Sequence, residues 1–241
     1  MKHRLFFRGF SLLAGMSLLL ASLGAPAAEI NQLTAEEKAT GWKLLFDGKS
    51  TEGWRSFKKK EFPAKGWVVE EGCLKHVAKG GGGDIVTDAA FGDFELEWEW
   101  RVASGANSGL KYLISEERKS AIGHEYQLID DDRHADAKLA DGKRVTASFY
   151  DVLKPSGAGP RPVGEFNHSR VLVKGKHVEH WLNGKKVLAY ELESEELKTA
   201  IAGSKFKTTE GFGTKFRGHL LLQDHGDEIS FRNIKIREEW G

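Results

Sequence analysis

The chain has 241 residues, 36 basic and 35 acidic side chains, and a formal net charge of +1. That balance gives bulk charge no part in holding nucleic acid or another polyanion. Cys73 is the only cysteine, which excludes an intrachain disulfide and any zinc site built on a cysteine pair.

Residues 1–28 read as a secretory signal peptide. "MKHRLFFRGF" carries Lys2, Arg4 and Arg8, "SLLAGMSLLLASLGA" is apolar and uncharged, and "APAA" offers small residues before Glu29. Cleavage is expected after Ala27 or Ala28. The apolar run is too short and interrupted for a membrane span, and no cysteine stands at the boundary to carry a lipid. Taking those three basic residues from 36 leaves 33 against 35 acidic ones, a net charge near −2. The expectation is a periplasmic or secreted protein with no membrane span after cleavage. Residues 29–241 are expected to form one domain, large enough to hold a core without disulfides.

"LTAEEKATG" predicts a short helix, with Thr34 and Glu37 spaced as a capping box. Almost everything after it reads as strand. "WKLLF" precedes the turn "DGKS", and "GWVVEEGCLKHV" reads as a hairpin turned at "EEG". "KGGGG" at 79–83 lacks the Lys-Ser/Thr and the helix that a phosphate cradle needs. In "GDFELEWEWRV", Phe94, Leu96, Trp98, Trp100 and Val102 share one face, and Glu95, Glu97, Glu99 and Arg101 the other. "GLKYLI", "HEYQLI", "RVTASFYDV", "FNHSRVLVKG", "KHVEHWLNGKKVLAYEL", "GHLLLQD" and "EISFRNIKIRE" continue in that manner. Asn183-Gly184 is a strong hairpin signal. "KKKEFPAK" and "KPSGAGPRP" read as loops, and only "ESEELKTAIAGSKF" looks helical again. Short strands punctuated by glycine, with helices at the margins, predict an all-β sandwich or barrel.

Three stretches carry candidate chemistry. In "HEYQLIDDD", Tyr126 and Leu128 face the core, so Glu125 and Gln127 look outward together, their Cα atoms about 7 Å apart. Asp130, Asp131, Asp132, His134 and Asp136 crowd the end of that strand, and like charges so close favour protonation, a cation or a substrate. In "LLLQDHGDE", a strand through 218–225 would put His219, Leu221, Gln223 and His225 on one face, and histidine is suited to proton transfer near neutrality. In "GANSGLKYL", Asn107-Ser108-Gly109 is first a turn signal, while Gly109 and Lys111 project the same way and leave room for a ligand. His180 in "EHWLNG" reads as structural. Asp130, Asp131, His134, Asp136 and His225 could ligate a divalent cation, without the spacing of a His-Glu-x-x-His motif. No Gly-x-Ser-x-Gly elbow is present.

"LFDGKSTEGW", "GDFELEWEWRVASGANSGLKYL", "HEYQLIDDDRHADA", "SFYDV", "GEFNHSRVLVKGKHVEHWLNGKKV" and "LLLQDHGDEISFRNIKIR", in this order from Gly41 to Glu238, resemble the 3-keto-disaccharide hydrolase domain family. The chain departs from it in having Phe166-Asn167 where the family commonly has Trp-Asn, and Phe149-Tyr150 where it commonly has Leu-Tyr. The resemblance implies a concanavalin A-like jelly roll, two curved antiparallel sheets with a concave face for sugar. It also implies a small sugar or glycoside substrate whose C3 hydroxyl has been oxidised to a ketone.

A ketone at C3 acidifies the C2 hydrogen, and the C1 oxygen lies β to it. Such a site needs a base, a donor for the enolate oxygen and an acid for the leaving group. Glu125 or His225 is the expected base. Gln127, Gln223, Lys111, Asn107 and Tyr150 are expected to hold the sugar or enolate. Asp130 and His134 are the expected acids, and Asp131 and Asp136 the expected ligands if a divalent cation is used. Glu125 and Asp130 are five apart, on opposite faces of an unbroken strand, unlike the paired carboxylates of a retaining glycosidase. A carbohydrate-binding module without catalysis is the alternative.

Overall fold

A strand that alternates strictly must find an apolar partner for one face, and here that partner is a second sheet. The computed structural model describes Met1 and residues 29–238; apart from Met1, the segment read as a signal peptide lies outside the described residues. In chain order come α1 (Ala35–Ala39), β1 (Lys43–Leu44), β2 (Trp54–Ser56), β3 (Trp67–Glu70), β4 (Cys73–His76), β5 (Ile85–Phe91), β6 (Phe94–Val102), β7 (Asn107–Ile114) and β8 (His124–Ile129). After two short 3₁₀ turns follow β9 (Asn167–Lys174), β10 (His177–Leu182), β11 (Lys185–Glu191), α2 (Glu195–Ala202), β12 (Gly218–Leu222) and β13 (Ile229–Arg237). The larger sheet runs β11-β10-β9-β6-β13-β4-β3, with β1 also on β13; the smaller runs β2-β5-β12-β7-β8. Every named strand pairing is antiparallel. The fold is an all-β jelly-roll sandwich. No helix among the described residues is long and apolar enough to cross a membrane.

The alternation in β6 divides as expected. Phe94, Leu96, Trp98 and Trp100 are fully buried between the sheets, with Tyr112, Tyr126, Phe149 and Phe231. Its other face carries a ladder of cross-strand ion pairs: Glu95 with Arg170 and Arg237, Glu97 with Lys235, and Glu99 with Arg232. Buried polar groups in the core find one another. Tyr112 Oη lies 2.7 Å from both His180 Nε2 and Tyr190 Oη, and His124 Nδ1 lies 2.9 Å from Tyr190 Oη. Burial pushes His124 down to about 3, and His180 down to about 4 against the opposing Ala147 carbonyl bond. Both are neutral core histidines, the structural role expected of His180.

Two strand expectations change. "RVTASFYDV" is a chain of turns rather than a strand, with isolated bridges at Phe149 to Tyr126 and Leu153. Ala147 (φ 66°) and Asp151 (φ 63°) leave the extended region and break the alternation. The segment still covers the edge of β8: Ala147 N donates to the Gln127 carbonyl and Tyr150 N to the Glu125 carbonyl. β12 ends at Leu222, short of Gln223 and His225, and the register shift beside His219 lies in the partner strands β5 and β7; His219 does not line the cleft that Gln223 and His225 border. His219 Nδ1 instead meets the Thr87 carbonyl at 2.8 Å.

Both helices start as their sequences indicate. Thr34 and Glu37 close the capping box of α1. Ser194 caps α2 by accepting from Leu197 N, while Leu197 and Ile201 are buried. α2 ends at Gly203 and delivers Lys205 and Phe206 to the outer side of the smaller sheet.

Candidate active site

The outer face of β7 and β8 is the floor of a cleft of about 340 Å³. Antiparallel register sets Lys111 opposite Glu125 and Gly109 opposite Gln127. The next residues on that face are therefore a cation, a carboxylate, an amide and a residue with no side chain. Gly109 is required: a Cβ there would stand 2.5 Å from Glu125 Oε1 and 2.9 Å from its Cδ. The carboxylate lies across the glycine, with Oε2 3.6 Å from Lys111 Nζ.

An amide chain fixes the other side of Glu125. With its nitrogen turned toward the carboxylate, Gln127 donates to Oε1 at 3.1 Å and to the Ser108 carbonyl at 3.1 Å, its oxygen 3.2 Å from the Asn107 side chain. Asn107 lies 3.4 Å from His225 Nε2. Gln223 and His225 complete this wall, so the outward residues of the two stretches converge. Gln223 Oε1 is buried without a hydrogen-bond partner among the described residues.

Tyr150, Lys205 and Phe206 form the opposite wall. Asp151 ties the two loops there, accepting from Arg144 Nε at 2.6 Å and from Lys205 N at 2.7 Å. Lys205 Nζ stands 4.0 Å over the Tyr150 ring. Ala121 and Ile122 line the remaining side, beside an apolar patch of Val86, Ile114 and Leu221.

Glu125 is 6% exposed. Burial raises its carboxyl above the ordinary glutamate value, while Lys111 and Lys205 pull the other way. Burial likewise raises Asp84, which accepts from Asp224 N at 2.9 Å and feels the charge of Lys111. The Lys205 side chain is exposed overall, yet desolvation beside the aromatic wall lowers its ammonium below the lysine norm, with Glu125 opposing.

The aspartates after β8 do not join this cluster. Asp130 is 2% exposed and accepts from the amides of Gly105, Asp132 and Arg133 and from the Arg133 guanidinium. Burial would raise it, but those bonds hold it below the ordinary aspartate range. Asp130 therefore closes a turn rather than presenting a proton to the cleft. Asp131 accepts from Thr146 N at 2.7 Å and lines a separate hollow with Arg161 and Asn167. Asp136 accepts from Tyr150 Oη at 2.7 Å and Arg144 Nη1 at 2.6 Å, so it orients the aromatic wall. With their carboxylates engaged separately, Asp131 and Asp136 do not form a shared ligand set. His134 does approach the cleft rim, its ring 5.8 Å from that of His225.

Lys205, Asp84 and Asp227 carry no local signal in the sequence. Lys205 and Asp84 sit in loops with no periodicity, and only tertiary packing brings them to β7 and β8. Asp227 lies within "DHGDE", where its spacing does not set it apart from the other acidic residues.

Residues 41–237 match the 3-keto-alpha-glucoside-1,2-lyase-like domain family. The chain is 36% identical over 241 residues to a 3-keto-disaccharide hydrolase of Bacteroides thetaiotaomicron, covering 88% of this chain and 83% of that one. Its fold superposes with a TM-score of 0.80 on a crystal structure of a candidate glycosyl hydrolase from Parabacteroides distasonis, at 35% identity, covering 88% of this chain and 100% of that one. A second such candidate from the same organism gives a TM-score of 0.62 at 25% identity, covering 82% and 99%. By the extent of the family match and the identity to the curated relative, the chain belongs to the 3-keto-alpha-glucoside-1,2-lyase-like domain family.

Proposed function

We propose that the protein is a carbohydrate-cleaving enzyme that acts on 3-keto-glycosides by elimination, with Glu125 as the base. The observation that carries this reading is Glu125 itself: a buried carboxylate on a cleft floor, raised by burial and paired with Lys111. A carboxylate raised toward neutrality is a stronger base for a carbon-bound proton than an exposed one. The name of the Bacteroides relative supports the substrate class.

Glu125 removes the C2 proton, and the electron pair moves into a C2–C3 enolate whose oxygen faces the Lys111 ammonium. Collapse of the enolate expels the C1 oxygen and leaves a double bond between C1 and C2. Lys205, made more acidic by desolvation, gives the leaving oxygen its proton. Gln223, whose Oε1 has no partner among the described residues, is placed to hold a sugar hydroxyl, while the fully buried Gln127, backed by Asn107, positions Glu125. Water added across the new double bond converts elimination into net hydrolysis, with Glu125 protonating C2 after exchanging its proton with solvent.

A binding module would need amides and aromatics but no buried carboxylate facing a lysine. The two readings separate on a pair of substrates, a 3-keto-glucoside and the same glucoside unoxidised. Release of the aglycone from the ketone alone is expected. Equal release from both, or binding of the sugar without release, would contradict elimination.

A further inference from the structure

We propose that His134, His225 and Asp227 bind a divalent transition-metal ion at the rim of the cleft. Among the described residues, these are the group of three histidine and carboxylate side chains whose ligand atoms all lie within 4.8 Å of one another. They come from two loops: His134 follows β8, and His225 and Asp227 lie between β12 and β13. Two imidazoles and one carboxylate suit manganese, iron, cobalt, nickel or zinc better than calcium or magnesium, and they leave coordination positions open. His225 is exposed and the other two are partly so, which keeps those positions within reach of a ligand.

The spacing fits an ion better than a hydrogen bond. His225 Nδ1 lies 3.7 Å from Asp227 Oδ2, beyond hydrogen-bond length. Two ligands bound to one ion at about 2.1 Å stand about 3.0–3.4 Å apart, so the three atoms, now within 4.8 Å of one another, draw together to seat one. Asp227 and His225 already have outer contacts, while His134 must change its own. Asp227 Oδ2 accepts from Asn107 N at 2.9 Å. The turned Gln127 requires the Asn107 amide to be reversed as well, which puts the Asn107 oxygen 3.4 Å from His225 Nε2, where it accepts that N–H and leaves the Nδ1 lone pair to the ion. His134 Nδ1 accepts from Asp136 N at 3.1 Å. Coordination through its Nε2 moves the ring proton to Nδ1 and gives up that single bond.

The site deepens the reading of the cleft and rests on it for its role: an ion held by His225 borders the space that Glu125 faces, where it would polarise a sugar oxygen. Ion binding itself needs no substrate, so its test is separate. The full chain, stripped of metal, is titrated with Co²⁺ and followed by calorimetry and by the visible ligand-field absorption of the ion. One Co²⁺ per chain is expected, and His134→Gln, His225→Gln and Asp227→Asn are each expected to weaken it by about tenfold or more. Asp131→Asn is expected to leave the affinity unchanged. Paramagnetic shifts of the His134 and His225 ring protons in the unsubstituted chain give the same answer if a variant fails to fold. Absence of Co²⁺ binding, unshifted ring protons, or unchanged affinity in any of the three ligand variants would overturn the site. Failure of the ketone assay would leave this result standing, and failure here would leave the ketone assay standing.

Discussion

Glu125→Gln is expected to lower kcat on a 3-keto-glycoside by about 10²–10⁴-fold while KM changes little. The amide keeps the size of the side chain and an oxygen to accept from Gln127 at the same place, so the cleft retains its shape. Only the base is lost. The pH profile of kcat/KM carries a second signature. Burial holds Glu125 above its ordinary 4.5, with Lys111 and Lys205 opposing. The base must be ionised, so activity falls as pH drops through that raised value, and the acid limb lies above pH 4.5. On the other side, desolvation holds Lys205 below 10.5, so the acid is lost as pH rises through a value under the lysine norm. The acid limb is expected in the unsubstituted enzyme and absent from the residual activity of the Gln variant. Full activity in Glu125→Gln, measured with substrate above KM, would remove Glu125 from the mechanism.

Gly109→Ala is expected to lower kcat by about 10²-fold with the fold retained, because displacing a catalytic group by about 1 Å has that effect. A methyl at this position meets Glu125 Oε1, Cγ and Cδ, all closer than 3 Å. The flexible end of the contact is the glutamate side chain, so the carboxylate moves rather than the sheet. The accompanying loss of stability is expected at about 1–3 kcal/mol, the usual effect of overpacking, and thermal unfolding measures it. Gly159→Ala is the control, since nothing lies within 4 Å of its added methyl. Equal kcat in the two glycine variants would mean that Glu125 does not need its present position.

The sandwich was legible because its strands alternate. β6 declares its two faces residue by residue, and the Asn183-Gly184 turn fixes the β10–β11 hairpin. The cleft floor was legible for the same reason: Glu125 and Gln127 share a face by alternation, as do Gly109 and Lys111. That these pairs are register partners is a property of the β7–β8 pairing, which no local pattern states. The aspartate run was misleading in a physical way. Charge density at a strand end looks reactive, yet Asp130 closes a turn and Asp136 is neutralised by Arg144. The stretch 144–152 carries strand-like residues, but two left-handed backbone positions turn it into a cover for the edge of β8. Lys205 reaches the cleft, and Asp84 the neighbourhood of Lys111, through loop packing alone. That information is tertiary.

Removal of the C2 proton is tested most directly with a 3-keto-glucoside carrying deuterium at C2, cleaved in ordinary water. Elimination followed by hydration predicts a released keto sugar that has exchanged its C2 deuterium for solvent hydrogen, with release slowed by the label wherever proton transfer limits the rate. A product that keeps its deuterium at C2, formed at the same rate as from unlabelled substrate, would show that the C1–oxygen bond breaks by direct displacement and that Glu125 is not the base.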